Sequence, residues 1–432
     1  MKLSVAAKTD VGRVRTNNED YLLSVAAEGL FIVCDGMGGH NAGEVASQMT
    51  CEVVARELTN NVTQAAIEQY KKTGTADDAK ALKKIVETAI VTACREVFGA
   101  ASRDSGKAGM GTTCTAVLLI GHRKGIMGHV GDSRLYVSRS NSVHQLSEDH
   151  TYVNELVKRG IIRRSEAQDH PQGNVLSRAL GVQPTVAVDT MIFDLDPGDT
   201  FLLCSDGVHN YFNEALEFLP HLALPDLQAG LDSLINLALE RGGHDNATGI
   251  SFRVESVAAG GSVSVAADER IAILKRIPIF THLNYHELVK VLGLTQLTTI
   301  EASRNLTEEG QAGSEMYVVL SGETEIVKGD DVIATLPAGV HLGEMALVDN
   351  APRSATARAK TDLSVLTMRR EEFFSLIKTE PVIATKLLWS LVQVLSGRLR
   401  DTNEALKGAR QELAGTHDDT GAFEILFDDE EL

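Results

Sequence analysis

The sequence predicts an α+β protein with two β-rich domains, and three observations lead to this prediction. The chain has 432 residues, which is too long for one ordinary hydrophobic core. Short apolar runs separated by glycine turns occur in two regions, with helical spacing between and after them. A stretch of small, weakly charged residues separates the two regions, as a linker would. The predicted organisation is a domain at 1–255, a linker at 256–267, a domain with a C-terminal helix at 268–410, and an acidic tail at 411–432.

Composition excludes several classes of partner. The formal net charge is −18, which argues against nucleic acid or an anionic membrane surface as the main partner. The N-terminus lacks the apolar region of a signal peptide, and no run approaches membrane-spanning length. The five cysteines are widely spaced and contain no CxxC, so neither a disulfide framework nor a zinc site is indicated. We therefore expect a reduced, cytoplasmic protein.

The elements of the first region alternate between strands and helices. Strands in a meander with long helices between them are typical of a two-layered sheet core flanked by helices. Residues 147–181 are more polar and are also predicted to be helical. The other predicted elements are strands within 1–25 and at 112–120, 125–130, 134–137, 200–204 and 247–254, and helices at 42–59, 77–101 and 225–241.

The second region has a different pattern. Residues 268–293 have helical spacing, and residues 296–368 are short β-runs punctuated by glycine. The glycine-punctuated runs predict a small β-barrel or jelly roll. A long helical segment is predicted over about 370–410, before the acidic tail.

The most informative stretch of the chain is Phe31–His40. Four apolar residues predict a buried strand that ends at Asp35, followed by a glycine-rich turn. Asp20, Asp206 and Asp245 stand in three further stretches of the same character, and carboxylates that converged there would repel one another unless cations compensated them. Oxygen ligands without a His or Cys cluster indicate Mg²⁺ or Mn²⁺ rather than zinc.

Six stretches in order carry a family resemblance. They resemble the successive motifs of the metal-dependent serine/threonine protein phosphatases (type 2C, or PPM) in their bacterial form, over about residues 4–254. The resemblance implies a β-sandwich flanked by helices, with two bound Mg²⁺ or Mn²⁺ ions. A third, more weakly bound ion is also implied. The stretches are Arg15–Asp20, Asp35–His40, Gly111–Thr113, Gly131–Arg134, Ser205–Gly207 and Asp245–Thr248.

The resemblance also implies roles for individual residues. Asp35 would bridge both metal ions, and Arg15 would bind the phosphate, because a guanidinium fork matches phosphate geometry. A metal pair activates water and clamps the phosphoryl oxygens during in-line attack. The remaining ligands would be the Gly36 carbonyl on one ion, Asp206 and Asp245 on the other, Glu19 and Asp20 directly or through water, and Asp132 on the third ion.

The identity of the general acid stays open. Animal members of the family carry a histidine directly after the Asp-Gly, where this chain has Met37, which cannot donate a proton. His40 lies nearby but is more typical of a helix cap, and a metal-bound water is another donor. Cys34 and Cys204 precede metal aspartates; a redox switch is conceivable, but small buried residues are the better interpretation.

The second region contains its own motif, Gly343–Leu347 followed by Pro352–Thr356. A turn that offers backbone N–H groups to an anion, an arginine for a phosphate and a glutamate for a sugar hydroxyl form one recognition set. The stretch resembles the phosphate-binding cassette of cyclic nucleotide-binding domains, over about residues 270–400. Leu342 replaces the usual phenylalanine, and Ser354 leaves cAMP or cGMP open as the regulator. The implied site residues are Gly343, Glu344, Met345, Ala346, Arg353, Ser354 and Ala355.

Together these features predict a phosphoprotein phosphatase, acting on phosphoserine and phosphothreonine, that is regulated in signal transduction by a cyclic nucleotide. The alternatives are a catalytically inactive phosphatase-like scaffold and a second domain that binds nothing. One apolar seam in the terminal helix also predicts packing on its own β-domain, a homodimer through that helix, or both, with the first turns on the β-domain and the later ones pairing with a second chain. The seam consists of Leu388, Val392, Leu395, Leu399, Thr402 and Leu406.

Overall fold

The computed structural model describes residues 1–38, 42–167, 170–257 and 265–417. His40, most of the predicted linker and the chain after His417 lie outside the described residues. The predicted role of His40 therefore stays a prediction.

The first domain contains two antiparallel sheets that face each other, as predicted. The strands are β1 Lys2–Asp10, β2 Asp20–Val25, β3 Leu30–Met37, β4 Gly111–Thr112, β5 Cys114–Gly121, β6 Lys124–Val130, β7 Arg134–Arg139, β8 Ser142–Gln145, β9 Asp189–Asp194, β10 Thr200–Cys204 and β11 Ala247–Ser256. One sheet has the order β1-β11-β10-β7-β8. The other has the order β2-β3-β5-β6-β9, with β4 paired to β3. Strands β8 and β9 are thus edge strands of opposite sheets.

Alternation along β3 explains why the domain has three layers of core. Phe31 and Val33 point into the core between the two sheets, whereas Ile32 and Cys34 point to the helices outside. The Phe31 ring stacks on Phe252 of the opposite sheet with centroids 4.4 Å apart. A strand that is apolar on both faces is therefore buried on both faces, and it holds Asp35 rigidly at its end.

Helices cover the outer faces of both sheets. They are α1 Ala42–Leu58, α2 Asn61–Thr73, α3 Ala76–Arg103, α4 Tyr152–Lys158, α5 Arg164–Ala167, α6 Asp206–His209, α7 Leu219–Leu222 and α8 Leu227–Glu240. Helices α1–α3 pack on the sheet that contains β3, and α8 packs on the other sheet. The predicted helices at 42–59, 77–101 and 225–241 are confirmed within a few residues.

Two features of this domain differ from the prediction. Helix α2 was not predicted, although Asn60 caps it by accepting a hydrogen bond from the Thr63 N–H. The prediction that residues 147–181 are helical is wrong for most of that range. Only the short helices α4 and α5 form there among the described residues, because Gly160, Pro171 and Gly173 interrupt the helical spacing.

The second domain begins with two helices and continues as two four-stranded antiparallel sheets. Its elements are α9 Ala267–Arg276, α10 Tyr285–Gly293, β12 Gln296–Ile300, β13 Asn305–Thr307, β14 Glu315–Ser321, β15 Thr324–Lys328, β16 Asp331–Leu336, β17 His341–Leu342, β18 Thr356–Ala359, β19 Leu363–Arg369, α11 Arg370–Thr379 and α12 Pro381–His417. The sheet orders are β12-β19-β14-β17 and β13-β18-β15-β16. This arrangement agrees with the predicted small β-domain with helices.

The predicted helical segment over about 370–410 is confirmed, and it is divided into two helices. Glu380 has φ −129° and ψ 74°, outside the helical region, and it precedes Pro381. Proline disfavours the helical conformation of the residue before it, so α11 ends and α12 begins there. The prediction that no run approaches membrane-spanning length is wrong by length and composition, because Pro381–Gln411 is long and apolar enough to span a membrane. Core helices that meet these criteria are mostly buried, whereas 28% of the apolar window in this stretch is buried. Lys386 in this stretch pairs with the buried Glu287 at 2.8 Å.

The two domains share one hydrophobic core. Ile271 of α9 and Leu292 of α10 belong to the same buried cluster as Phe193 and Val137 of the sandwich. The Arg270 guanidinium lies 3.3 Å from a carboxylate oxygen of Asp194, and both side chains are buried. The start of the second domain therefore packs on the side of the sandwich where β8 and β9 lie.

Candidate functional site

Most of the predicted acidic residues line one cleft at an end of the sandwich. Asp35 follows the buried residues Leu30–Cys34 of β3, and Asp20 lies opposite it in the neighbouring strand. Asp206 follows β10 at the start of α6. The cleft has a volume of about 770 Å³. Of the predicted site residues, it is lined by Arg15, Glu19, Asp35, Gly36, Asp132, Asp206 and Asp245.

Burial and mutual repulsion oppose ionisation of these carboxyl groups. Burial raises the pKa of Asp35 well above its usual value, and the negative charges of Asp20, Asp206, Asp132 and Asp245 raise it further. Burial raises the pKa of Asp20 to about 7 and that of Asp132 to about 8, with smaller contributions from the other carboxylates. Carboxylates held together in this way require nearby positive charge before they can all ionise.

The donor set fits hard divalent cations, although no cage is preformed. The converging side chains offer oxygen atoms only, which suits Mg²⁺ or Mn²⁺. Within the described ranges, no three His, Cys, Asp or Glu side chains are arranged as a ready metal-binding group. Protein donors occupy part of the set instead. The Ser205 hydroxyl donates to Asp20 at 2.7 Å and the Arg15 guanidinium donates to Asp245 at 2.8 Å.

Arg15 lies where the cleft opens to solvent. Its side chain is 46% exposed, and a second guanidinium nitrogen lies 3.7 Å from Glu19. An arginine anchored by carboxylates at one side and exposed at the other can reach a phosphate in the cleft.

Several supporting residues were not identified as site residues from the sequence. The Thr113 hydroxyl accepts a hydrogen bond from the Asp35 N–H at 2.9 Å. The Asn246 side chain accepts from the Glu19 N–H and donates to the Asn17 carbonyl, at 2.8 Å and 2.9 Å. Asn246 therefore ties the loop carrying Arg15 and Glu19 to the turn carrying Asp245. Thr113 and Asn246 belong to the motifs that carry the family resemblance. Their hydrogen bonds join residues far apart in the sequence, so no local sequence pattern indicates them.

Gly36 is required by close packing rather than by its backbone dihedrals. A Cβ atom at Gly36 would lie 2.2 Å from the Gly43 carbonyl oxygen and 2.5 Å from that of Glu19. Because backbone atoms cannot be pushed aside cheaply, any side chain here would displace the start of α1 or the Glu19 loop.

The cysteines and His129 have structural positions, as the sequence favoured. Cys34 and Cys204 are fully buried, and burial raises the pKa of both thiols. His129 is also fully buried, and burial lowers its pKa to about 3, so it is neutral and donates from Nε2 to the Glu148 carbonyl at 3.1 Å. Met37 lines the cleft and offers no proton donor.

The raised pKa values of Asp20 and Asp132 predict how the free energy of unfolding varies with pH in the absence of metal. Folded Asp20 and Asp132 keep their protons up to about pH 7 and 8, whereas the unfolded chain loses them near pH 4. The folded state therefore binds more protons, and the free energy of unfolding should fall as pH rises from about 6.5 to about 8. Below about pH 6.5 the buried neutral histidines, including His129, His209 and His286, oppose this trend.

Urea denaturation in EDTA across this pH range measures the effect. With saturating Mn²⁺ the trend should weaken or reverse, because metal ions bind the ionised carboxylates. A free energy of unfolding in EDTA that is constant or rises over this range would contradict the prediction.

The predicted nucleotide-site residues surround a turn at Gly343. Gly343 has a φ of 74°, and a Cβ atom there would lie 2.2 Å from a guanidinium nitrogen of Arg353. Arg353 donates to the Glu315 carbonyl at 2.6 Å and to the Gly343 carbonyl at 3.3 Å. Its guanidinium thus lies directly beside the turn Glu344–Leu347.

The predicted acceptor of a sugar hydroxyl is already paired. Glu344 is 3% exposed and accepts a hydrogen bond from Arg398 of α12. A simple structural interpretation of the motif would pair Glu344 with Arg353, and the structure pairs it with Arg398 instead. Ala346 is buried, whereas Met345 and Ser354 are exposed and Ala355 is half-buried.

Comparison with known proteins gives the same division of the chain. Residues 12–226 match the family model "Protein phosphatase 2C", and residues 297–380 match "Cyclic nucleotide-binding domain". A serine/threonine phosphatase (stp) of Listeria innocua is 34% identical over 244 residues, which are 56% of this chain and 92% of that protein. The structure of the Streptococcus agalactiae serine/threonine phosphatase is 32% identical with a TM-score of 0.52, and the match covers 59% of this chain and all of that one. The structure of the Mycobacterium tuberculosis phosphatase PstP/Ppp is 33% identical with a TM-score of 0.51, covering 59% of this chain and 99% of that one.

Proposed function

We propose a specific mode of action for this chain, which belongs to the protein phosphatase 2C family and is a serine/threonine phosphatase with a cyclic nucleotide-binding domain. It hydrolyses phosphoserine and phosphothreonine in phosphoproteins with bound Mn²⁺ or Mg²⁺, in the cytoplasm, under control of a cyclic nucleotide. The observation that carries the proposal is the convergence of carboxylates and Arg15 in one cleft, where burial and neighbouring carboxylates raise the pKa of Asp35.

The residues of the cleft have separate tasks in this proposal. Asp35, the Gly36 carbonyl, Asp206 and Asp245 would hold two cations, with Glu19, Asp20 and Asp132 contributing directly, through water or at a third ion. When bound, the cations activate a water and neutralise charge on the phosphoryl oxygens. Arg15 binds the phosphate and stabilises its charge in the transition state. Thr113 and Asn246 hold Asp35 and the Glu19 loop in place through the hydrogen bonds described above.

Cyclic nucleotide control is supported by the side chains around Gly343. Arg353 would bind the cyclic phosphate, together with the backbone N–H groups of the turn, and Glu344 would accept from the sugar hydroxyl. Ser354 follows Arg353 at an exposed position, and it is compatible with either cAMP or cGMP.

Phosphopeptide hydrolysis by the full chain tests the proposal. We expect turnover in Mn²⁺ that is abolished by EDTA and that changes when cAMP or cGMP is titrated. Absence of metal-dependent turnover would favour the inactive scaffold. If cAMP or cGMP binds but neither changes the turnover, control by a cyclic nucleotide is refuted and the phosphatase activity is not.

A homodimer through α12 is part of the proposal. In the predicted seam, Leu388, Val392, Leu399 and Leu406 are between 41% and 62% exposed, whereas Leu395 packs partly on the core of its own chain. An apolar stripe of this length on an exposed helix is costly to leave in water, and a second copy of the helix would cover it.

Light scattering tests the dimer. We expect a dimeric mass for the full chain at tens of micromolar, and a monomeric mass after Leu399→Asp with Leu406→Asp. Arg400→Asp, on another face of the same helix, should leave the mass unchanged. A monomeric mass for the unmodified chain would refute the dimer.

A further inference from the structure

Helix α10 of the second domain contacts the edge strands of both sheets of the phosphatase domain. Burial lowers the pKa of His286, so the ring is neutral, and its Nδ1–H donates to the carbonyl of Leu146, directly after β8, at 2.7 Å. The Tyr285 ring stacks on His144 of β8 with centroids 3.6 Å apart. At the other end of α10, a Cβ atom on Gly293 would lie 2.6 Å from the carbonyl oxygen of Ile192 in β9.

The chain between these two strands forms a wall of the phosphatase cleft. We call the described residues 147–167 and 170–188 the cleft segment. It leaves β8, passes through α4 and α5, and returns at the start of β9. Side chains including Asn174, Ser177 and Val182 line the same cavity as Asp35 and Asp132. Both ends of the cleft segment therefore lie beside α10.

Hydrogen bonds connect the end of the cleft segment to the acidic site. Asp189, the first residue of β9, lies 3.2 Å from Nε2 of the buried His150 and accepts from Arg178 at 2.7 Å. The other ring nitrogen of His150 accepts from the Gly131 N–H at 3.1 Å, and Gly131 precedes Asp132. A displacement of β9 would therefore move Arg178 in the cleft wall together with His150, the partner of Asp189.

We propose that His286 and Gly293 are positioning residues for the phosphatase reaction, acting through the two ends of the cleft segment. The second domain sets the shape of the cleft wall, and this wall contacts the residues of a phosphoprotein that flank its phosphorylated residue. The proposal rests on the proposed phosphatase function, and it makes α10 the contact through which nucleotide binding would alter substrate fit.

The route predicts which kinetic constant changes. Asp35, Asp206 and Asp245 stand at the ends of β3, β10 and β11, which are not the strands that α10 contacts. Disturbing α10 should therefore raise KM for a phosphopeptide, which contacts the cleft wall. The kcat for p-nitrophenyl phosphate, which needs only the metal site, should change little.

The test compares Gly293→Ala with Gly408→Ala in the full chain. Both glycines are helical, but a Cβ atom at Gly408 would meet nothing within 4 Å. We expect Gly293→Ala to raise KM for a phosphopeptide at least about threefold in Mn²⁺, with kcat for p-nitrophenyl phosphate retained. Gly408→Ala should match the unmodified chain in both.

A second pair keeps the proposal testable if Gly293→Ala does not fold. His286→Ala removes the donor to Leu146 without adding atoms, and His282→Ala changes an exposed histidine in the same domain. We expect His286→Ala to raise KM for the phosphopeptide and His282→Ala to leave it unchanged. Unchanged KM in both test variants, or an equal loss with both substrates, would overturn the proposal. A nucleotide that binds without changing the rate would refute control by a cyclic nucleotide. It would not affect the comparison of the α10 variants with their controls.

Discussion

Asp35→Asn is expected to lower kcat for phosphopeptide hydrolysis at least about 100-fold at saturating Mn²⁺. Desolvation and four other carboxylates raise the pKa of Asp35, so its charge is central to cation binding. A metal site supplies several kcal/mol of transition-state stabilisation, and each 1.36 kcal/mol corresponds to about tenfold in rate. Asp206→Ala should have a comparable effect, for the same reason.

Stability measurements separate this effect from misfolding. The substitution removes a source of carboxylate repulsion, so the free energy of unfolding in EDTA should not fall. Asp330→Asn, at an exposed turn of the second domain, is the matched control and should keep full activity. Turnover near that of the unmodified chain for Asp35→Asn would rule out the proposed metal centre.

Arg353→Ala is expected to weaken cyclic nucleotide binding at least about tenfold. Loss of a charge-assisted hydrogen bond to a phosphate costs about 1.5–3 kcal/mol, and about 1.4 kcal/mol corresponds to tenfold in affinity. Arg353 also donates to the Gly343 and Glu315 carbonyls, so its removal additionally loosens the turn that supplies backbone donors. Calorimetry with cAMP and with cGMP measures the change.

Two controls define the role of this arginine. Arg353→Lys keeps the charge but loses the planar fork, and we expect an affinity between those of the unmodified chain and Arg353→Ala. Arg304→Ala, at a strongly exposed position of the same β-domain, should bind normally. Equal affinity for Arg353→Ala and the unmodified chain would remove this residue from the proposed site.

Local patterns in the sequence carried most of the fold and the identity of the acidic residues. The apolar run before Asp35 predicts a buried strand that ends at this carboxylate; β3 forms there and continues two residues further, to Met37. Glycine-punctuated runs likewise predicted the small β-domain. These predictions succeed because alternation, helical spacing and turn residues act over a few neighbouring positions. Pro381 is a local signal of the same kind, because a proline disfavours the helical conformation of the residue before it, and α11 ends there.

Only the tertiary structure decided which distant residues meet. Asn246 ties the Glu19 loop to the Asp245 turn, Arg398 rather than Arg353 pairs with Glu344, and His286 contacts Leu146 across the domain boundary. Each contact joins residues from 54 to 227 positions apart, so no periodicity within one segment can indicate it. Such contacts depend on how complete elements pack, because burying the apolar faces of α9 and α10 against the sandwich brings β8, β9 and the second domain together.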